Sequence, residues 1–199
     1  MSVTRKNHEQ YKGINWEEEL VKYKERRKGI DDRLIHFLQD ARNNRLDRFM
    51  IFVTRTGNGG TIWILIALYL YIFKKMHTEA MLLVSVIGVV AFFANIVIKS
   101  FFTKDRPCDI DESVSLLIKR PLGSSTPSGH SASSFACVVV FFFINPWWGM
   151  AALSWAALIA FSRIYLYVHY PSDVFFGCVL GVTLAVVSIP MVNWLLSFV

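Results

Sequence analysis

Residues 163–173, with the sequence RIYLYVHYPSD, place an arginine, a histidine and an aspartate between two apolar stretches of the chain. A charged side chain at membrane depth is costly unless it faces a partner or water, so such residues often carry chemistry. Asp173 follows His169 by four residues, and Pro171 is a typical first residue of a helix. This spacing predicts that the Asp173 carboxylate accepts a hydrogen bond from one ring nitrogen of His169 and leaves the other as a nucleophile.

Two more polar segments interrupt the apolar part of the chain. The first, KSFFTKDRP, begins at Lys99 and contains Arg106, and the second, TPSGHSAS, contains Ser128, Gly129 and His130. Each has an ordinary explanation by itself, since cations snorkel at helix ends and a lone histidine is more often a hydrogen-bonded interfacial residue. That explanation is weaker for three polar segments than for one. The order of the predicted spans, given below, puts all three segments on the same side of the membrane.

Together these residues have the composition of an anion site. Lys99, Arg106 and Arg163 are cations without a comparable cluster of carboxylates, and planar guanidinium groups match phosphate oxygens. Gly129 allows backbone N–H groups to approach closely, Ser128 adds a hydroxyl donor, and a helix that begins near residue 131 points its positive end at the anion. We therefore expect these five residues to bind a phosphate group.

Two histidines in a cationic phosphate site suggest a division of labour. His169, oriented by Asp173, is expected to attack phosphorus, and His130 to protonate the departing oxygen and later to activate water. Two-metal phosphatases need several converging carboxylates, whereas the other acidic side chains here lie in the polar loop 105–112. The sequence therefore predicts neither a metal ion nor another cofactor.

The polar residues lie mainly in the first 58 positions, and apolar stretches follow from residue 60 onward. We expect an all-α, multi-pass transmembrane bundle, with a polar segment at 1–58 and a membrane domain at 59–199. Amphipathic interfacial helices are predicted at residues 14–28, 31–41 and 45–55. Five spans are predicted, at residues 60–73, 80–98, 132–145, 149–167 and 174–199.

Composition also excludes several classes of protein. The net charge of +6 is concentrated in the N-terminal segment and is not interleaved with aromatic residues, so it indicates anionic lipid headgroups rather than nucleic acid. Three cysteines without a CxxC spacing support neither a disulfide framework nor a zinc site.

Gly177 and Gly181 form a small-xxx-small pair, which predicts close helix packing. The oligomeric state is not indicated.

The polar segments resemble the three signature motifs of the type 2 phosphatidic acid phosphatase (PAP2) superfamily. Those motifs correspond to Lys99-x6-Arg106-Pro107, Pro127-Ser128-Gly129-His130 and Ser162-Arg163-x5-His169-x3-Asp173, with eleven identities at the right spacing. The resemblance implies a helical membrane fold, metal-independent hydrolysis of a phosphomonoester or diphosphate, and a phosphohistidine intermediate on His169. The sequence departs from the family outside the motifs. Many bacterial members have six spans, whereas here the charged segment 1–29 stands where a further helix is expected before residue 31.

The leading hypothesis is therefore a membrane phosphatase whose partner is a lipid phosphate in the bilayer. Phosphatidate, phosphatidylglycerophosphate and polyprenyl phosphates or diphosphates all remain candidate substrates. A vanadate-dependent haloperoxidase fits less well because those relatives are larger and soluble. An anion transporter could use the same cations, but it does not need two histidines and an orienting aspartate.

Basic residues predict the orientation of the site. Lysine and arginine number 13 in residues 1–58, six in the loops that carry the motifs and two in the opposite loop. Short loops rich in lysine and arginine stay in the cytoplasm. We therefore expect a cell-membrane protein whose active site shares a face with the N-terminus, on the cytoplasmic side.

Overall fold

A computed structural model describes Asn15 and residues 29–111 and 113–198, in which eight α-helices and no strand are present. These helices are α1 (Ile30–Asp40), α2 (Asn44–Thr56), α3 (Thr61–Ile72), α4 (His77–Phe92), α5 (Pro107–Ile110), α6 (Gly129–Ile144), α7 (Pro146–Tyr165) and α8 (Pro171–Leu196). A π-turn at Phe93–Val97 and a 3₁₀ turn at Ile98–Phe101 extend α4. The all-helical prediction is confirmed. The amphipathic helix predicted at 14–28 lies almost wholly outside the described residues.

Local sequence explains where several helices begin. The side chains of Asn43 and Asn145 accept backbone N–H bonds in the first turns of α2 and α7, as capping residues do. Proline is the first residue of both α7 and α8, where its missing N–H has no cost. These signals place the start of α8 immediately after His169 and Tyr170.

Helix α6 forms the centre of the bundle, packed against α4, α7 and α8. Its contact with α8 is close because two glycines of α8 face it. A Cβ atom on Gly177 would lie 2.6 Å from the Ser128 carbonyl oxygen, and one on Gly181 would collide with the Ala132 backbone. The predicted packing role of this glycine pair is confirmed, and the close approach sets the first turn of α6 against the first turns of α8.

The predicted spans are only partly reproduced as membrane-crossing helices. Each predicted stretch contains a helix, but within the described residues only His77–Phe101 and Pro171–Leu196 are long and apolar enough to cross a bilayer. At 12 and 16 residues, α3 and α6 are shorter than the ~20 that a span requires. Helix α6 ends at Ile144, because Asn145 and Pro146 begin α7 directly after it.

Helices α2 and α3 together can form a third, broken span, bent by 53° at residues 57–60. Gly59 and Gly60 adopt left-handed conformations with φ of 57° and 73°, which favour glycine. Helix α2 packs across α7 and is tied to it by a 2.7 Å hydrogen bond from Arg163 to Thr54. The polar segment therefore contacts the membrane part directly, and the division at residue 58 stays a prediction.

Candidate active site

The three polar segments meet at one end of the bundle around a cavity of about 260 Å³. Six of the eight predicted site residues line it: Lys99, Arg106, Gly129, His130, Arg163 and His169. They come from the end of the α4 extension, the loop before α5, the start of α6, the end of α7 and the loop before α8. Helix order and helix ends thus assemble residues that lie as many as 70 positions apart in the chain.

The cavity is strongly cationic. Lys99, Arg106 and Arg163 face it, and no carboxylate is among the described residues that line it. Arg163 is 3% exposed and donates to Thr54, but its Nε is a buried donor without a hydrogen-bond partner among the described residues. A buried donor that lacks a partner carries a desolvation cost, which an anion oxygen in the cavity would remove.

Arg106 has a second role that its motif position did not predict. All five of its N–H donors are used: four bind the backbone carbonyls of Leu122, Gly123, Ser124 and Val168, and the fifth contacts His169 Nε2 at 3.0 Å. The guanidinium therefore holds the loop before α6 against the loop before α8. Its charge lies at the cavity, but a phosphate oxygen must replace an existing acceptor to receive a bond from it.

The Arg106 contact defines the tautomer of His169. A guanidinium group can only donate, so Nε2 of His169 must be the acceptor nitrogen and Nδ1 carries the proton. Nδ1 lies 3.5 Å from Ser125 Oγ, which in turn donates to Asp173 Oδ2 at 2.5 Å. The lone pair that a nucleophile needs is therefore on Nε2 of His169, the ring nitrogen that contacts Arg106.

The direct hydrogen bond predicted between His169 and Asp173 is not formed, because Ser125 lies between them. Asp173 is 1% exposed and already accepts four other bonds. Its donors are the hydroxyls of Ser125 and Thr126, the Tyr170 N–H and the Lys104 ammonium at 2.8 Å. As the third residue of α8, Asp173 caps the helix start, and this turns its carboxylate toward the loop before α6.

His130 lies at the start of α6, across the cavity from the loop that carries His169. Its Nε2 is 2.9 Å from Asn58 Oδ1, in the break between α2 and α3. The sequence predicted no carboxylate partner for His130, and among the described residues the hydrogen-bonded partner of its ring is the Asn58 amide. The sequence pattern around Asn58 had indicated only a turn.

Ser128 and Asp173 are the two predicted site residues that do not line the cavity. Ser128 is fully buried, and its hydroxyl accepts a 2.9 Å bond from Ser131. Its N–H donates to the Asp173 carbonyl, which links the start of α6 to the start of α8. Gly129 does line the cavity, where a Cβ atom would collide with the Asn95 side chain.

Four residues near the site were missed as site residues: Asn58, Asn95, Ser125 and Lys104. Ser125 belongs to the hydroxyl-rich run SST directly before the second motif, which was a usable signal. Lys104 lies in the first motif segment and pairs with Asp173, so a lysine and a carboxylate on different segments could have been matched. Nothing local in the sequence marks Asn58 or Asn95.

The electrostatic environment keeps His169 neutral. Burial, together with the positive charges of Arg163, Arg106 and Lys99, holds the pKa of His169 well below its usual range. A neutral imidazole with its lone pair directed to a cationic cavity can attack phosphorus, whereas an imidazolium cannot. The site therefore combines an anion receptor with a nucleophile and with a second imidazole.

Comparison with known proteins agrees with this chemistry. A family model described as the PAP2 superfamily matches residues 79–197. An undecaprenyl-diphosphatase of Sulfolobus acidocaldarius is 30% identical over 158 residues, which cover 79% of this chain and 74% of that protein. A lipid A 4'-phosphatase of Bacteroides thetaiotaomicron is 30% identical over 76% of this chain and 72% of its own.

A solved structure shares the fold as well. The crystal structure of Aquifex aeolicus LpxE matches with a TM-score of 0.67 and 29% sequence identity, over 79% of this chain and 93% of that one. The helical bundle and its cationic cavity thus define a membrane phosphatase that hydrolyses phosphoric esters of the lipid phosphate or diphosphate class. The chain belongs to the PAP2 superfamily, and the family resemblance of its three motifs is confirmed.

Proposed function

We propose that the protein removes a terminal phosphoryl group from a membrane lipid phosphate or diphosphate through a phosphohistidine on His169. In the first step, Nε2 of His169 forms a bond to phosphorus while the bond to the leaving oxygen breaks and His130 supplies a proton to that oxygen. In the second, water attacks phosphorus, His130 takes a proton from the water, and inorganic phosphate leaves. No metal ion enters either step.

The observation that carries this proposal is the cavity that His169 lines together with three cations, one of which, Arg106, contacts Nε2 of its ring. Lys99 and the unpartnered Nε of Arg163 are available to the phosphate oxygens. One N–H of Arg106 donates a hydrogen bond to His169 Nε2. When substrate binds, that N–H would donate to a phosphate oxygen instead, which frees the Nε2 lone pair for attack. On the opposite side of the ring, Nδ1 lies 3.5 Å from Ser125 Oγ, which donates to Asp173.

Polyprenyl diphosphates are the substrates that we place first. The relative from Sulfolobus acidocaldarius is named an undecaprenyl-diphosphatase, and a second relative of that kind, BcrC of Bacillus subtilis, is 27% identical over 70% of this chain. Purified protein should be tested in detergent against polyprenyl diphosphate, polyprenyl phosphate, phosphatidate and phosphatidylglycerophosphate, with released phosphate as the readout. Fastest release from another lipid would replace this substrate choice.

Replacement of the nucleophile tests the mechanism directly. His169→Ala should lower turnover at least ~10³-fold, because no other side chain at the cavity offers an unprotonated lone pair in that position. A rapid quench of the wild type with ³²P-labelled substrate should trap an acid-labile, alkali-stable adduct that the variant lacks.

The matched control is His77→Ala, which deletes an exposed histidine at the opposite end of the bundle and should keep full activity. Wild-type activity should also survive EDTA, since the described residues do not bring three His, Cys, Asp or Glu side chains close enough together to hold one metal ion. Substantial turnover by His169→Ala, or a loss on chelation that divalent ions restore, would overturn the mechanism.

We also propose that the site faces the cytoplasm, from the six basic residues on its loops against two on the opposite loop. Cys108 is a poor reporter, because it is buried and burial raises the pKa of its thiol. An introduced cysteine serves better: Ser115→Cys in the exposed part of the site loop and Thr78→Cys at the opposite end, both in a Cys178→Ala background.

In intact cells, a membrane-impermeant maleimide should label the Thr78→Cys protein and leave the Ser115→Cys protein unlabelled until the membrane is opened. The reverse pattern would place the active site outside the cytoplasm.

A further inference from the structure

The break between α2 and α3, with the sequence GNGG at residues 57–60, lies against the ring of His130. Asn58 Oδ1 is 2.9 Å from His130 Nε2. A Cβ atom on Gly57 would lie 3.0 Å from His130 Cδ2, so the ring packs directly on the glycine backbone. The three glycines of the break also line the phosphate cavity. The break is therefore a wall of the site as well as a bend in a span.

This wall is held in place from both sides. The Thr61 hydroxyl donates to the Asn58 carbonyl at 2.5 Å, and the Gly60 N–H donates to the Gly57 carbonyl at 3.1 Å. Before the break, α2 is tied to α7 through Thr54, which accepts from Arg163, and Thr56, which accepts from Trp155 at 3.1 Å. The Asn58 amide thus presents its oxygen from an anchored backbone.

The hydrogen bond defines which nitrogen of His130 can exchange a proton with the substrate. An amide oxygen can only accept, so Nε2 of His130 carries a proton that is directed at Asn58. Nδ1 is then the nitrogen that gains and loses a proton during turnover. Without the amide, the imidazole would be free to turn about its side-chain bonds and to change tautomer.

We propose that Asn58 is a positioning residue that keeps the Nε2–H of His130 in place while Nδ1 carries out the proton transfers of the reaction. This inference rests on the proposed function of His130 as general acid and base. In the first step, His130 takes up a proton on Nδ1 from the bound substrate phosphate and passes it to the leaving oxygen as the bond between that oxygen and phosphorus breaks. In the second, Nδ1 takes a proton from the attacking water. The Nε2–H···Oδ1 bond persists through both steps.

A general acid matters most when the leaving group is a strong base, and this provides a specific test. Farnesyl phosphate releases an alkoxide, whereas farnesyl diphosphate, with the same tail, releases the much weaker base farnesyl phosphate. Asn58→Ala should lower kcat for farnesyl phosphate about 10- to 100-fold and kcat for the diphosphate less than about threefold. The control Asn44→Ala deletes an exposed amide of α2 outside the cavity and should change neither.

Two further variants separate positioning from a loss of folding. Asn58→Asp retains an acceptor oxygen and should recover most of the lost activity on farnesyl phosphate. His130→Ala should show the same leaving-group dependence as Asn58→Ala but a larger loss of kcat. The double variant should be no slower than His130→Ala alone, because the Asn58 amide acts through the His130 ring.

Equal losses on both probes in Asn58→Ala, or additive losses in the double variant, would overturn the role of Asn58. That outcome differs from failure of the proposed function. If His130→Ala shows no leaving-group dependence, or if the wild type hydrolyses neither probe, the assignment of His130 or of the substrate class is wrong and the Asn58 proposal falls with it.

Discussion

Two cavities in the described part of the chain differ strongly in character. The larger, of about 590 Å³, lies between α2, α3 and α7 with α6 as its floor, and its lining is mainly aromatic and aliphatic. Lys74, at its far end, is the one charged side chain among its described lining residues. The smaller, of about 260 Å³, contains three cations and two histidines. The proposed phosphate chemistry requires the smaller cavity, because its cations and histidines are absent from the described lining of the larger one.

The difference shows that volume alone does not identify the reactive site of a membrane enzyme. An apolar groove forms wherever the side chains of neighbouring helices pack incompletely. Lipid can cover such a groove without removing water from any polar group. Three buried or half-buried cations around one space need an anion, since burying charge without a partner is unfavourable. Buried charge, which is retained although its desolvation costs free energy, is therefore a better marker of function than cavity volume.

The sharpest test of this comparison removes one cation from each cavity. Arg163→Met should lower kcat/KM about 10²- to 10³-fold, because one donor to the transition-state oxygens is lost. Inhibition by vanadate, which depends on the same cations, should weaken in parallel. Lys74→Met, at the end of the groove, should leave both kcat/KM and vanadate inhibition unchanged. Equal effects of the two substitutions would contradict the assignment of the cavities.

A smaller effect is expected on stability as a function of pH. The pKa of His169 is well below its usual range in the folded protein and ~6.5 in an unfolded chain, so between these values only the unfolded state binds the proton. The contribution of His169 to stability is therefore present above about pH 6.5 and is lost as the pH falls. Between pH 6.5 and 5 the loss is at most ~2 kcal/mol.

Thermal unfolding in detergent measures this dependence. The unfolding temperature of the wild type should fall more steeply below pH 6.5 than that of His169→Gln, which has no group to titrate at this position. Parallel curves for the two proteins would show that His169 is not held neutral by its surroundings.

The smallest effect is expected in the apolar groove. Trp155 lines it and donates a 3.1 Å hydrogen bond to Thr56. Trp155→Phe keeps most of the apolar contact and removes that bond, so unfolding should become easier by about 1 kcal/mol. Turnover should stay within about twofold, because the Arg163–Thr54 bond still ties α2 to α7 and the substituted ring does not line the phosphate cavity. A loss of activity as large as that of Arg163→Met would make the groove part of the active site.

Much of the fold could be predicted from the sequence, because the signals were local. The helix start at Pro171 follows from proline, and the tight packing at Gly177 and Gly181 follows from the absence of a side chain, whereas the span predicted at 149–167 begins three residues after the start of α7 at Pro146. The number of membrane-crossing helices was less predictable. Apolar composition marks α6 as a span, but at 16 residues the helix is shorter than a bilayer crossing requires.

The sequence by itself determined the chemistry of this protein. Three motifs with constant spacing specify two histidines, three cations and an aspartate at the ends of helices, and helix order brings six of the eight predicted residues to one cavity. Spacing within each of the three segments could therefore point to the candidate reacting groups.

Only the tertiary structure decided how the two imidazoles are held. Ser125 lies 44 positions from His169 and comes between it and Asp173, and Asn58 lies 72 positions from His130. A hydrogen bond needs its atoms to lie within about 3 Å of each other in a favourable direction. For partners so far apart in the chain, that geometry depends on how α2, α6, α7 and α8 pack, which no local pattern encodes.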